Sequence, residues 1–279
     1  MKISAWVTVS DLVKSKQTKL EKVIDIVLPV ERKHMYQSQT PETTFAQLRK
    51  SGVTGVELLI PILTTDTEVT AAKQILEECK MPVFSIHQSL TSFSSIAFSE
   101  IERLCKIAHT FGAKVVVLHS GALNTKLFKE NVVKKLHQLQ KKYAITFGIE
   151  NMPKTPFNIR KKFCWKAKPF STVIAKNNLH ITLDTTHLAQ VGEDVCEFYK
   201  ENKDKIVNIH LSNYKNHWKN KKLMLQSKTH LPLTEGELPL QKFFSLLKKE
   251  KYNGLITMEI NSNLAGLCKS AQIIKNGLS

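Results

Sequence analysis

Eight short apolar runs, rich in β-branched residues, alternate along the chain with longer segments whose apolar residues recur at helical spacing. The runs are residues 3–9, 54–60, 82–87, 114–120, 145–150, 179–184, 206–211 and 255–260. Their continuous apolar character predicts strands buried on both faces, as in a parallel sheet covered by helices. From the second run to the sixth the spacing is about 30 residues, the size of one strand–helix unit. The pattern therefore predicts an α/β fold, a single (β/α)8 TIM barrel.

The segments between the runs carry the predicted helices. Helical patterns cover residues 42–51, 67–80, 98–111, 128–142, 191–203, 239–251 and 264–276. Two connections are longer and predict extended loops after strands 1 and 7: residues 10–41, within which 18–29 could add a helix, and residues 212–238. Loops of this length are typical of lids and binding loops. Since no linker or low-complexity stretch divides the chain, we expect one domain over residues 1–279.

Acidic and imidazole side chains stand where the predicted strands end. The last four strands end at or beside Glu150, Asp184, His210 and Glu259, and the third and fourth end at His87 and His119. The C-terminal ends of parallel strands meet at one face of a barrel, where catalytic residues gather. Clustered carboxylates repel each other unless a cation or a proton lies among them. The set therefore predicts a divalent metal site.

Four more polar residues lie near these strand ends: Glu57, Asn151, His187 and His230. A single histidine of this kind is equally well explained as a hydrogen-bonded residue at a barrel rim, so the hypothesis depends on the joint pattern. Trp6 in the first strand could form the floor of a pocket or simply pack. Cys164 has no base fixed beside it, which argues against a nucleophilic role.

The charge balance is strongly basic, with a formal net charge of +17, and all but four of the 41 basic residues are Lys. Basic stretches follow Glu150 (154–168) and His210 (215–228), and both are expected to be loops on the catalytic face. Their field should attract anions such as sugar phosphates or nucleic acid. Arg is the preferred phosphate fork, so its scarcity argues against a nuclease function. The sequence leaves open whether the basic charge reflects nucleic-acid binding or composition bias.

Five scattered cysteines without a C-x-x-C pair argue against a disulfide framework or a Cys-rich zinc site. The first residues lack the apolar core of a signal peptide and read as a strand, and no stretch is apolar enough to span a membrane. These features predict a reduced, cytoplasmic protein with no membrane partner.

The motifs GVELLIP, IHQSL, LHSG, GIENMP, LDTTH, IHLSN, HLPLTEG and MEI resemble, in this order and over nearly the whole chain, those of the xylose-isomerase-like barrel superfamily. That superfamily includes sugar phosphate isomerases and epimerases and the related endonuclease IV group. Similarity to the epimerases implies one divalent ion (Mn, Zn, Co or Mg) held by Glu150, Asp184, His210 and Glu259.

The same resemblance implies that Glu150 and Glu259 exchange protons with a substrate carbon as general base and acid, through a metal-stabilised enediolate. His187 would contact substrate oxygens. The remaining substrate-binding candidates line the cavity: His87, His119, His230, Asn151 and Glu57.

Resemblance to endonuclease IV supplies the alternative function, a phosphodiesterase acting on abasic DNA. Its three-zinc site would use His87, His119, His187, His210 and His230 with Glu150, Asp184 and Glu259. The ninth ligand is an Asp at the position of Lys228, and an ammonium group there repels cations. With Lys228 at this position, a site for one or two metal ions remains possible. HLPLTEG is closer to the epimerase loop, although Thr234 replaces its usual Gly.

A third hypothesis is a non-catalytic barrel that binds a ligand through residues 212–230, where Tyr214, His217 and Trp218 could stack on bases. A solvated lid explains this loop more simply. The sequence leaves open the identity of the sugar, its phosphorylation, the metal's identity and number, and the oligomeric state.

Overall fold

Eight parallel strands close into a barrel in the computed structural model, which describes residues 1–13, 39–89, 98–121, 125–155, 158–215 and 228–279. In chain order the barrel strands are β1 (Lys2–Thr8), β2 (Gly55–Ile60), β3 (Val83–Gln88), β4 (Val115–His119), β5 (Thr146–Glu150), β6 (His180–Asp184), β7 (Ile206–Leu211) and β10 (Leu255–Met258). Each pairs in parallel with the next, and β1 closes the barrel by pairing with both β2 and β10. All eight predicted strands are confirmed within two residues at each end.

Helices separate the strands, as the apolar spacing predicts. They are α1 (Val9–Val13), α2 (Pro41–Lys50), α3 (Asp66–Glu78), α4 (Phe98–Phe111), α5 (Glu130–Tyr143), α6 (Lys162–Trp165), α7 (Ala167–Lys176), α8 (Thr185–Gln190), α9 (Val195–Asn202), α10 (Leu240–Lys249) and α11 (Leu264–Leu278), with short 3₁₀ helices at Thr125–Phe128 and Lys203–Lys205. The start of α3 is fixed by a capping box in which Thr65 and Glu68 satisfy each other's backbone N–H groups.

Four helices were not predicted: α1, α6, α7 and α8. The basic stretch after β5 was expected to be a loop, and this is wrong for Lys162 and Lys168, which lie in α6 and α7. Tertiary packing overrides the weak local signal there, because Phe170 and Ile174 of α7 are fully buried against the barrel. The helix expected at 191–203 begins at Val195, where Asp194 caps it. The expected helix at 18–29 lies outside the described residues.

The apolar core lies between the strands and the surrounding helices, whereas the barrel interior is polar. Outward-facing residues of β1, such as Ile3 and Val7, belong to the apolar core. Inside the barrel, a group that we call the interior polar layer has no exposed surface: Ser4, Glu57, Ser85, Asn208 and Thr257. The bond from Asn208 Nδ2 to Glu57 Oε2 (2.9 Å) joins β7 to β2 across the interior, since β1 and β10 separate these strands. Barrel interiors are more often filled by branched apolar residues.

The long connection after β7 begins and ends in a two-stranded antiparallel hairpin, β8 (Asn213–Lys215) and β9 (Lys228–Leu231). It brings His230 back to the barrel mouth with a left-handed backbone, φ +54°. His217 and Trp218 lie outside the described residues, as does most of the loop expected after β1. Nowhere in the described ranges is a helix long and apolar enough to cross a membrane.

Candidate metal centre

The ends of β3 to β7 and of β10 deliver their polar residues to one mouth of the barrel. His119, Glu150 and Asp184 are the last residues of β4, β5 and β6. His87 and His210 are the next-to-last residues of β3 and β7, and Glu259 directly follows β10. Parallel strands end on the same face, so the register alone accounts for this convergence.

Four of these side chains form what we call the inner cluster: His87, Glu150, His210 and Glu259. One ligand-type atom from each lies within 4.8 Å of the others. His210 Nδ1 is 2.8 Å from Glu259 Oε2 and 3.3 Å from Glu150 Oε1. His87 Nε2 is 3.5 Å from Glu150 Oε2. Two carboxylates and two imidazoles thus share one buried space, which is a donor set suited to a borderline divalent cation.

Glu150 is the centre of this arrangement. It is buried, and His119 Nε2 and His187 Nδ1 also approach it, at 3.3 Å and 3.6 Å. Burial by itself would raise the pKa of Glu150, but the adjacent imidazoles of His210 and His87 bring that pKa well below its ordinary value. The carboxylate is therefore ionised at neutral pH.

The four histidines around Glu150 differ in charge. Burial would lower the pKa of His187, but the carboxylates of Asp184 and Glu150 raise it. Burial would lower the pKa of His210, but the carboxylates of Glu57 and Glu259 raise it well above its ordinary value. The pKa of His87 is raised in the same sense, against burial, by the nearby carboxylates of Glu150 and Glu57. Burial dominates at His119 and lowers its pKa to about 4. His119 is therefore neutral at pH 7 and offers a lone pair.

A second group, the outer cluster, comprises Asp184, His187 and His230. Asp184 Oδ1 accepts hydrogen bonds from the backbone N–H of His187 (2.7 Å) and from the Thr186 hydroxyl (3.0 Å). Through the first of these bonds Asp184 caps the N-terminus of α8. His187 Nδ1 lies 2.9 Å from the carbonyl oxygen of Asn151, and the rings of His187 and His230 meet edge to face at 5.2 Å.

The structure thus divides the predicted metal quartet. Glu150, His210 and Glu259 come together with His87, a predicted substrate contact, whereas Asp184 groups with two predicted substrate contacts. The side-chain amide of Asn151 makes two hydrogen bonds with the backbone of Asp184. Its Nδ2 donates to the carbonyl oxygen (2.9 Å) and its Oδ1 accepts from the backbone N–H (2.8 Å), which joins the end of β5 to β6. Glu57 lies below the inner cluster, in the interior polar layer, with no exposed surface.

Within the described residues, four ligand-type atoms of the two clusters are buried without an aligned hydrogen bond: Glu259 Oε2, His87 Nε2, His210 Nε2 and Asp184 Oδ2. Buried polar atoms are nearly always paired, and carboxylate and imidazole atoms of this kind are suited to binding a cation. The residues present therefore fit a divalent ion.

Several other residues singled out in the sequence lie apart from this chemistry. Cys164 is fully buried, its Sγ is 3.2 Å from the Gly121 carbonyl oxygen, and burial raises its pKa to about 12. Lys228 is exposed at the start of β9, opposite Lys215. Trp6 is half-buried on β1 beside Glu57, and its indole Nε1 is a buried donor without an aligned acceptor.

Sequence reasoning missed the partners of Glu57, although a signal was present. Ser85, Asn208 and Thr257 stand two residues before His87, His210 and Glu259. Side chains alternate along a strand, so a residue two positions earlier points to the same face, one layer deeper in the barrel. Polar residues at these positions therefore mark a supporting layer under the site.

Comparison with known proteins yields a match to a family model described as xylose isomerase-like TIM barrel, over residues 45–278. A D-tagatose 3-epimerase-like protein superimposes with a TM-score of 0.65 at 19% identity, covering 100% of this chain and 97% of its own. AP endonuclease, family 2, from Brucella melitensis has a TM-score of 0.65 at 15% identity, covering 95% and 96%.

A third similar structure is a xylose isomerase-like TIM barrel protein from Mycobacterium smegmatis in complex with magnesium. Its TM-score is 0.63 at 14% identity, and the alignment covers 100% of this chain and 98% of that one. At these identities the structural likeness establishes the fold alone.

Proposed function

The chain belongs to the xylose isomerase-like TIM barrel family, and we propose that it is a divalent-metal-dependent isomerase or epimerase of a sugar or sugar phosphate. One observation carries the proposal: two ionised carboxylates, Glu150 and Glu259, reach the same ring nitrogen of His210 from different sides of the mouth. Their strands, β5 and β10, are separated by β6 and β7 in the barrel. A substrate bound between them would have a carboxylate near each face.

Such a pair suits proton transfer at carbon. One glutamate takes the proton from a carbon next to a carbonyl group, and the other returns a proton to the resulting enediolate. A divalent ion, when bound, supplies Lewis acidity that polarises the substrate's carbonyl and hydroxyl oxygens. The inner cluster would hold this ion. The set of ligands predicted from the sequence also includes Asp184, which lies in the outer cluster.

The remaining polar residues would orient the substrate. His119 is neutral, and His187 and His230 stand beside the carboxylates at the mouth, so all three can exchange hydrogen bonds with sugar hydroxyl groups. The basic residues that follow β5, including Arg160 and Lys166, favour an anionic substrate such as a sugar phosphate.

Proton exchange tests this proposal directly. Protein loaded with Mn²⁺, Co²⁺, Zn²⁺ or Mg²⁺ would be incubated in D₂O with keto- and aldo-sugars and their phosphates, and deuterium at carbon would be read by NMR. We expect the wild-type protein to exchange protons, the variants Glu150→Gln and Glu259→Gln to lose this exchange, and the exposed control Glu201→Gln to keep it. Absence of exchange with every substrate and ion would refute the isomerase proposal.

A second candidate, an abasic-site phosphodiesterase, is favoured by one specific observation. All eight residues that match the endonuclease IV ligands lie in or beside the two clusters: His87, His119, Glu150, Asp184, His187, His210, His230 and Glu259. The exposed ammonium of Lys228, two residues before His230, opposes a complete three-ion site. Zn²⁺-dependent incision of an abasic duplex, lost in His87→Ala, would reverse the ranking.

A further inference from the structure

Glu57 is a buried carboxylate whose two oxygens have different neighbours. Oε2 accepts hydrogen bonds from Ser85 Oγ (2.6 Å), Asn208 Nδ2 (2.9 Å) and, more weakly, Thr257 Oγ1 (3.4 Å). Oε1 has no such donor in the described part of the chain and instead lies 2.9 Å from His210 Nε2. One oxygen is thus anchored to three strands, and the other is directed at a single imidazole.

His210 is correspondingly placed between two groups of carboxylates. Its Nε2 faces Glu57 below, and its Nδ1 faces Glu259 and Glu150 in the inner cluster. A neutral imidazole carries its proton on one nitrogen and a lone pair on the other. A carboxylate on the Nε2 side stabilises the tautomer with hydrogen there, which leaves the Nδ1 lone pair directed at the cluster.

Glu57 cannot contact a substrate from this position, because neither it nor the His210 ring above it has any exposed surface. The contact between Oε1 and Nε2 is close but lacks hydrogen-bond alignment. Electrostatic attraction between a carboxylate and an imidazole N–H requires only this proximity.

We propose that Glu57 is a positioning residue that fixes the tautomer and orientation of His210, so that Nδ1 is presented to a divalent ion. The inference builds on the proposed metal centre and assigns Glu57 a role beneath the site instead of the substrate contact expected from sequence. Carboxylate partners of this kind orient metal-binding histidines and raise their basicity.

The decisive variant is Glu57→Gln, which keeps the shape and removes the charge. The three donors around Oε2 require an acceptor, so the amide oxygen should turn towards them and the amide NH₂ towards His210 Nε2. Nε2 would then accept a hydrogen bond, and the ring proton would move to Nδ1, where it blocks the ion. We expect affinity for Co²⁺ and Zn²⁺, measured by calorimetry, to fall about 10- to 100-fold.

Thr257→Val is the matched control. It removes the hydroxyl that lies 3.4 Å from Glu57 Oε2, 3.0 Å from Asn208 Oδ1 and 2.9 Å from Ser4 Oγ, and it leaves the contact between Glu57 and His210 in place. A merely structural role for Glu57 predicts that both variants alter the melting temperature while ion affinity stays at the wild-type value. The positioning role predicts a loss of affinity in Glu57→Gln alone, accompanied by a changed visible spectrum of bound Co²⁺. A folded Glu57→Gln protein with wild-type ion affinity would overturn the proposal.

A measurement on the wild-type protein covers the case in which Glu57→Gln does not fold. Long-range ¹H–¹⁵N spectra of the Zn²⁺-loaded protein report which ring nitrogen of His210 carries hydrogen. Hydrogen on Nε2 is expected, and hydrogen on Nδ1 refutes the role. Tight ion binding that depends on Glu57, in a protein that exchanges no substrate proton, would refute the proposed isomerase and leave this inference standing.

Discussion

The inner and outer clusters lie at the same barrel mouth and use the same residue types, yet they are held differently. The inner cluster has two carboxylates and rests on a third, Glu57, whereas the outer cluster has Asp184 alone. His210 of the inner cluster has Glu57 beside Nε2, from below, and Glu259 beside Nδ1. In the outer cluster, the backbone carbonyl oxygen of Asn151 faces His187 Nδ1. Negative charge is therefore concentrated around His210, whereas the outer cluster offers one carboxylate and two imidazoles.

The tautomers follow from this difference. The carbonyl oxygen of Asn151 can only accept, so His187 Nδ1 carries hydrogen. Burial would lower the pKa of His187, but the carboxylates of Asp184 and Glu150 raise it. His210 faces carboxylates on both sides, so without an ion it is doubly protonated. In that state a proton on Nδ1 takes the place of the cation.

The largest effect is expected from Glu150→Gln, because Glu150 contacts the histidines of both clusters. Loss of the general base or acid should slow exchange at the substrate carbon by about 10²- to 10⁴-fold, measured by NMR in D₂O. Wild-type exchange in Glu150→Gln would show that the catalytic carboxylates lie elsewhere.

The second largest effect is expected from removal of the ion, which should distinguish the contributions of the two clusters to ion binding. At a free ion concentration 100 times Kd, binding stabilises the folded protein by about 2.7 kcal/mol, which a chelator reverses. We expect His187→Ala to retain most of this stabilisation in thermal melts and His210→Ala to lose it. The opposite ranking would place the ion in the outer cluster.

Ion affinity should also depend on pH through the inner cluster. The raised pKa of His210 means that its Nδ1 proton is still bound at pH 7 and must leave when an ion binds. Affinity should therefore rise by at least about tenfold per pH unit from neutrality and level off above that raised pKa. Calorimetry in two buffers of different ionisation enthalpy should show at least one proton released, from His210, with a further contribution from His87, whose pKa is also raised. An affinity independent of pH would mean that the ion does not bind at His210.

The smallest effect is expected from the outer cluster alone. His187→Ala removes one hydrogen bond that the proposed substrate would make, which contributes about 1 kcal/mol, or about fivefold in KM. Ion affinity should be unchanged. A large loss of ion affinity in this variant would show that the two clusters act as one site.

The sequence predicts the barrel because apolar runs and their spacing are local signals, and parallel register carries the strand-end residues to one mouth. It does not predict how they divide into two clusters. The ladder shifts register between Val56 and Glu57 and again between Ile181 and Thr182. Such irregularities re-aim the side chains that follow, here Glu57 and Asp184, and simple alternation does not reveal them.

The unpredicted helices have a similar cause. Segment 162–176 is rich in Lys and contains Pro169, so its local pattern is that of a loop. Only the barrel supplies the surface on which Phe170 and Ile174 are buried.

For Glu57 the sequence carries a partial signal, the polar residues two positions before His87, His210 and Glu259. It does not reveal which of them contact Glu57, because the four partners come from three other strands, β3, β7 and β10.

The interior polar layer also limits how this protein can be redesigned. An engineer seeking a more heat-resistant barrel would be tempted to replace Ser85, Asn208 and Thr257 with Val or Leu. The added apolar packing would leave the carboxylate of Glu57 without its anchors, and an uncompensated buried charge costs several kcal/mol. Stabilising substitutions would therefore have to be made in the outer helices, because the interior polar layer holds Glu57 in place beneath His210.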